Sequence, residues 1–272
     1  MKKKSIIASV LFIFASVLFL VTNSVAVSPP PSGDFGAMTW DLKVTGADIG
    51  AAYLTFSDDG FGNRLITGYV NVVPGKGKPG ETVIFGAGYV WGEWSYDEHG
   101  RIVAFLSNDP SQTVRFDVTQ MVGSVSKKGE KLTLSGETAY GNLKFSGGPA
   151  NPLTMLPSLW TVIVDRMASD MTLVEIFFVQ PSPVDLNVYT MDGFAANRCL
   201  TGSALLSKSN DLAIAIYEAE LPDSGDCTDV PDTGWSEGYS AYGKLDLKGF
   251  HGHLKGAEEG INKKVNMKVV ME

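Results

Sequence analysis

The sequence is poor in the residues that carry most chemistry. It has two cysteines and three histidines among 272 residues. His99 lies in a polar turn. His251 and His253 stand two apart on a strand, so they share one face but lack an evident third ligand. Basic residues are also few, 22 against 30 acidic, for a formal charge of -8. A general nucleic-acid binder needs a basic face, and this balance argues against one. The chain lacks a Gly-x-Ser-x-Gly elbow, a His-Glu-x-x-His pair and a phosphate-binding P-loop. Neither cysteine has a neighbouring histidine that would make it a nucleophile. Asp58-Asp59-Gly60-Phe61-Gly62-Asn63 offers oxygen ligands but lacks the glutamate and spacing of an EF-hand, and turn chemistry explains it. No catalytic residue, cofactor or metal is therefore expected. Carboxylates acting as acid and base of an exported hydrolase are the alternative, because their pairing across a cleft is invisible in one sequence.

The one long apolar run is at the start. Lys2, Lys3 and Lys4 precede an apolar stretch from Ile6 to Val21, and Ser24-Val25-Ala26 supplies the small residues of a cleavage site. This reads as a secretory signal peptide over 1–26, followed by an extended, proline-bearing tail over 27–36. The leader carries three lysines and no acid, so the mature chain would hold 19 basic and 30 acidic side chains, a net of -11. No later stretch is apolar enough to span a bilayer as a helix. A periplasmic or extracellular protein is expected, without a helical anchor in its mature part.

Export makes a disulfide plausible. Between Cys199 and Cys227 lie a strand, the turn Lys208-Ser209-Asn210-Asp211 and a second strand. A hairpin brings its open ends together, and the cysteines sit near those ends. Pairing of Cys199 with Cys227 is expected.

Helical periodicity is missing, and period two takes its place. Trp40, Leu42 and Val44 alternate with polar neighbours, as do Leu132 and Leu134, and Val265, Met267 and Val269. That is the pattern of half-buried strands. Turn residues separate them at Ser57–Gly60, Asp97–Gly100, Lys127–Glu130 and Glu258–Gly260. Short strands joined by tight turns give an antiparallel meander. The fold class is all-β.

Two halves look alike. Asp117 and Gly123 can be laid over Asp246 and Gly252, 129 residues on; Gly92 lies over Gly202 at an offset of 110, and Trp40 over Trp160 at 120. These offsets fit a duplicated meander of about seven strands per half rather than a solenoid. Residues 37–148 form the first unit, the proline-rich 149–157 a linker, and 158–272 the second. Two small barrels or sandwiches, one large barrel, or an outer-membrane barrel would each suit. The opening, with Trp40, then Ser57-Asp58-Asp59-Gly60, then Thr67-Gly68-Tyr69, resembles the first hairpin of avidin-like and lipocalin-like barrels. That motif is common to hairpins, and no binding residue is carried over from it.

The richest aromatic patch is Trp91, Trp94 and Tyr96, beside Tyr89. Alternation puts 92, 94 and 96 on one face and 89, 91 and 93 on the other. One face is core, and the other offers a platform for a sugar or an apolar molecule. The expectation from the sequence is an exported, non-catalytic β-protein that binds a small apolar or glycan ligand, or scaffolds an envelope surface.

Overall fold

A computed structural model describes residues 38–272, except 76–85, 109–119, 139–140, 154, 167–170, 184–186 and 259–262. The leader 1–26, the tail 27–36 and Asp117 lie outside the described residues. The first half consists of β1 (Met38–Gly46), β2 (Asp48–Asp58), β3 (Arg64–Pro74), β4 (Gly86–Tyr96), β5 (Ile102–Asn108), β6 (Met121–Val125), β7 (Leu132–Thr138) and β8 (Gly141–Pro149). The second consists of β9 (Leu159–Arg166), β10 (Met171–Pro181), β11 (Val188–Ala195), β12 (Arg198–Leu206), β13 (Asp211–Glu220), β14 (Ser236–Asp246), β15 (His251–Glu258) and β16 (Lys263–Met271). Each set of eight pairs in sequence order, every pair antiparallel. β1 meets β8 and β9 meets β16, so both meanders close into barrels.

Closure follows from the alternation. Trp40, Leu42 and Val44 of β1 point into the first barrel, and Trp160, Val162 and Val164 of β9 into the second; all six are essentially inaccessible to solvent. Each such side chain contributes roughly 1.5–3 kcal/mol on leaving water. Eight strands make a barrel whose interior side chains can fill, and these interiors are apolar throughout most of their height. Exposed Lys43 and Glu93 on the first barrel, and Lys255 and Lys268 on the second, occupy outward positions.

The duplication extends to positions within strands. Trp40 and Trp160 both lie on the first strand of their barrel, and Gly92 and Gly202 on the fourth. A Cβ on Gly92 would collide with the carbonyl oxygen of Phe105, and one on Gly202 with that of Ala215. Only glycine lets each fourth strand approach the fifth so closely. Gly123 lies on β6, the sixth strand of its barrel, whereas Gly252 lies on β15, the seventh of its own. The two therefore do not stand at equivalent points of the strand order. Alternating strands look alike one strand out of step, which is how that overlay arises.

The barrels meet side by side through outward residues. β2 and β13 are buried on both faces. Ala51, Tyr53 and Tyr69 of the first barrel pack with Val188 and Leu205 of the second. The Tyr53 hydroxyl donates to the Leu206 carbonyl at 2.8 Å, and Tyr69 to Ser203 Oγ at 2.5 Å. The Lys208 backbone N–H donates to Asp41 Oδ2 at 2.7 Å. Burial raises the Asp41 pKa, and the Lys208 N–H partly offsets it. Tyr69→Phe should cost about 1 kcal/mol, because Ser203 loses its partner in a buried seam. Urea denaturation reads this, and an unshifted midpoint would show that the bond adds nothing to the seam.

Cys199, on the outward face of β12 and inaccessible, bonds to Cys227, with Cα atoms 5.5 Å apart. Cys227 opens a short 3-10 turn, Cys227–Asp229, in the long β13–β14 connection. The disulfide thus ties that connection to β12 one residue from Arg198.

Candidate functional site

The aromatic patch divides as alternation requires. Trp94 and Tyr96 turn into the first barrel, edge to face at 5.4 Å, with the Arg64 guanidinium 5.0 Å and 5.4 Å from their ring centroids. Trp94 Nε1 donates to the Ser57 carbonyl at 3.0 Å. These groups close one end of the barrel. Trp91 is on the outer face, 50% exposed. The three residues do not form a single platform, because Trp91 and Trp94 lie on opposite sides of β4. His251 and His253 are exposed on the outside of β15. No group of three or more His, Cys, Asp or Glu is placed to hold a metal among the described residues.

The polar chemistry gathers elsewhere, at one end of the second barrel. In an antiparallel meander the end of each odd strand and the start of each even one lie together. Here that end receives Arg166 from β9, Glu175 from β10, Arg198 from β12, Glu218 from β13, Tyr239 from β14 and Glu258 from β15. All six continue inward-facing apolar rows: Val162-Val164 leads to Arg166, Ile214-Ile216 to Glu218, and Leu200-Ala204 starts from Arg198. The strands thus carry charge into the lumen at their rim.

Glu218 bridges the two arginines. One carboxylate oxygen accepts from Arg166 Nη2 and the other from Arg198 Nη1. Arg166 also faces Glu258 Oε1 at 3.5 Å, and its guanidinium lies 4.9 Å from the Tyr239 ring centroid. These four charged side chains are only 12% to 24% exposed. Glu175 lies further down the barrel, opposite Val162 and fully buried. Both of its carboxyl oxygens lack a hydrogen-bond partner among the described residues, as do Glu258 Oε2, Tyr239 Oη and Arg166 Nε.

Burial pushes the Glu175 pKa up to about 7, against the pull of Arg166 and Arg198. Arg198 is shifted down by its burial and by Arg166, with Glu175 and Glu258 opposing. The two arginines thus link three acids and two bases into one cluster. A buried carboxyl without partners is costly, and native structures pair such groups with protein, water or a ligand.

At three of these positions the first barrel has no equivalent. With Trp40 laid on Trp160, Gly46 takes the place of Arg166, and Ala52, opposite Leu42, that of Glu175, opposite Val162. With Gly92 laid on Gly202, Gly88 takes the place of Arg198. Among the described residues the shared scaffold carries this chemistry in one copy. None of the six residues stood out in the sequence, for they are spread from 166 to 258. For Arg166 and Glu218 the available signal was a charged residue at the next inward position after an apolar row, and for Glu175 the strand gave none.

No protein-family model matches the chain, and no curated protein matches it by sequence. Among solved structures it is similar to a protein of unknown function from the DUF3598 family of Nostoc punctiforme PCC 73102. The two share 10% identity over 87% of this chain and 96% of that one, with a TM-score of 0.23.

Proposed function

We propose that the protein is an exported, non-catalytic binding protein whose ligand site is the charged mouth of the second barrel. The observation that carries this is Glu175, a fully buried carboxyl with both oxygens unpartnered among the described residues, at a position where the sister barrel has alanine. A stability-driven duplication has no use for such a group, and a ligand donor supplies what it lacks. The lumens are apolar through most of their height, and the inward charge of the second barrel gathers at this mouth. Apolar interiors with charged outer positions are the reverse of a membrane barrel's arrangement. The leader sequence and the Cys199–Cys227 bond support export.

A hydrolase is the second reading, and one observation favours it. Glu175, with its pKa near 7, and Glu218, gripped by two arginines, are carboxyls in opposed environments, the pattern of an acid and its ionised partner. Complete burial of Glu175 behind the arginines favours binding over turnover. Native mass spectrometry of the protein from its own envelope or medium tests the choice. The expected result is an added mass that leaves on denaturation and is absent from Glu175→Leu. A bare wild-type polypeptide would overturn the binding reading, and glycoside or ester turnover lost in Glu175→Gln would favour the hydrolase.

A further inference from the structure

Resting on that reading of the mouth, we infer that the ligand is a compact organic cation with N–H donors, a primary ammonium, received by Glu175 and Glu258. The unpartnered atoms set the chemistry. When ionised, Glu175 Oε1 and Oε2 and Glu258 Oε2 are acceptors and not donors, and Tyr239 Oη can also accept; among the described residues of the mouth, Arg166 Nε is the one orphan that only donates. A ligand completing this set must be rich in donors, and an ammonium carries three. Charge points the same way. With Glu175 ionised, Glu175, Glu218 and Glu258 against Arg166 and Arg198 leave one negative charge, which a monocation cancels. An anion would meet guanidiniums already engaged by Glu218 and carboxylates that repel it. Once Glu175 is ionised, a neutral polyol leaves the cluster with its negative charge uncancelled. A metal would need three suitably placed ligands, which the described residues do not provide.

The charged groups that act on Glu175 are Arg166 and Arg198; Glu218, Tyr239 and Glu258 are the other inward groups at this end, while β11 contributes Gly193 and Ala195 on its inward face. Near neutrality Glu175 holds a proton for part of the time. Binding removes it: the carboxyl O–H proton passes to buffer, and the carboxylate accepts an ammonium N–H. Affinity should fall about tenfold for each pH step of one below 7, and level off above it.

Titration calorimetry of the disulfide-bonded protein with n-butylammonium chloride tests this, in two buffers of different ionisation enthalpy. Butanol, methyl glucoside and sodium butyrate serve as comparators. Butylammonium alone should bind, release protons below neutrality, and lose at least about tenfold in affinity in Glu175→Gln together with the pH slope. Glu258→Gln, nearer the rim, should weaken binding and keep the slope, which guards against a misfolded first variant. Binding of butanol, glucoside or butyrate that Glu175→Gln removes would overturn the cation while leaving the mouth as the site. So would silence towards butylammonium at about 10 mM when native mass spectrometry shows an adduct. Silence together with a bare native polypeptide would overturn both.

Discussion

Glu218→Ala should lower the unfolding free energy by about 3–5 kcal/mol. One carboxylate holds both guanidiniums of the mouth, and each side chain concerned is mostly withdrawn from water. Its removal leaves Arg166 with Glu258 at 3.5 Å and Arg198 without its bridging partner, two like charges facing each other in the rim. Removing one member of a buried pair costs far more than the pair itself contributes, because the stranded charge keeps its desolvation penalty. Chemical denaturation measures the loss. Adding Arg198→Met to the variant should recover part of it, since the stranded charge then goes as well. A loss under about 1 kcal/mol in Glu218→Ala would mean that water already compensates the arginines, as at an exposed ion pair.

Much of the fold was legible and the site was not, for one physical reason. A half-buried strand writes its own burial into neighbouring residues, so Trp40-Leu42-Val44 or Val265-Met267-Val269 declares a strand locally. Turn residues at Ser57–Gly60, Asp97–Gly100 and Lys127–Glu130 mark the breaks, and the structure puts β2–β3, β4–β5 and β6–β7 around them. Each half has eight strands, not about seven. β8 includes Gly141, Gly147, Gly148 and Pro149, residues that strands disfavour, and it is recognisable only once β1 closes on it. Side-by-side contact of the barrels left a trace that was open to reading. Ala213 and Ala215 turn the inward row Leu212-Ile214-Ile216 into an unbroken apolar run, and such a run marks a strand covered on both faces. The mouth is different. Glu175 looks like one polar residue in an apolar strand, and nothing local says that it points inward or that Arg166 and Arg198 act on it. Convergence belongs to barrel closure, which pairs strands far apart in sequence.

Glu175→Gln should stabilise the ligand-free protein at alkaline pH and leave it almost unchanged in acid. The carboxyl pKa is about 7 in the folded chain against 4.5 for the ordinary group. A raised acid pKa means that the folded state binds the proton more tightly than the unfolded one does. Between those values the folded state carries more protons, so stability falls as pH rises from about 4.5 to about 7 and then stays level. That window amounts to about 3 kcal/mol. Glutamine keeps the shape of the protonated carboxyl and cannot ionise. Its advantage should therefore be near zero below about pH 4.5 and grow to about 3 kcal/mol above about pH 7. Denaturation of both proteins across that range gives the difference curve. A flat difference would show that Arg166 and Arg198 already hold Glu175 ionised in the folded chain, and the carboxyl would then be a fixed counter-ion. A rising curve would show that the sequence retains an acid which weakens the empty barrel at neutral pH. A cation that pairs with Glu175 would return that stability on binding, so the same curve measured with butylammonium should flatten as the probe saturates.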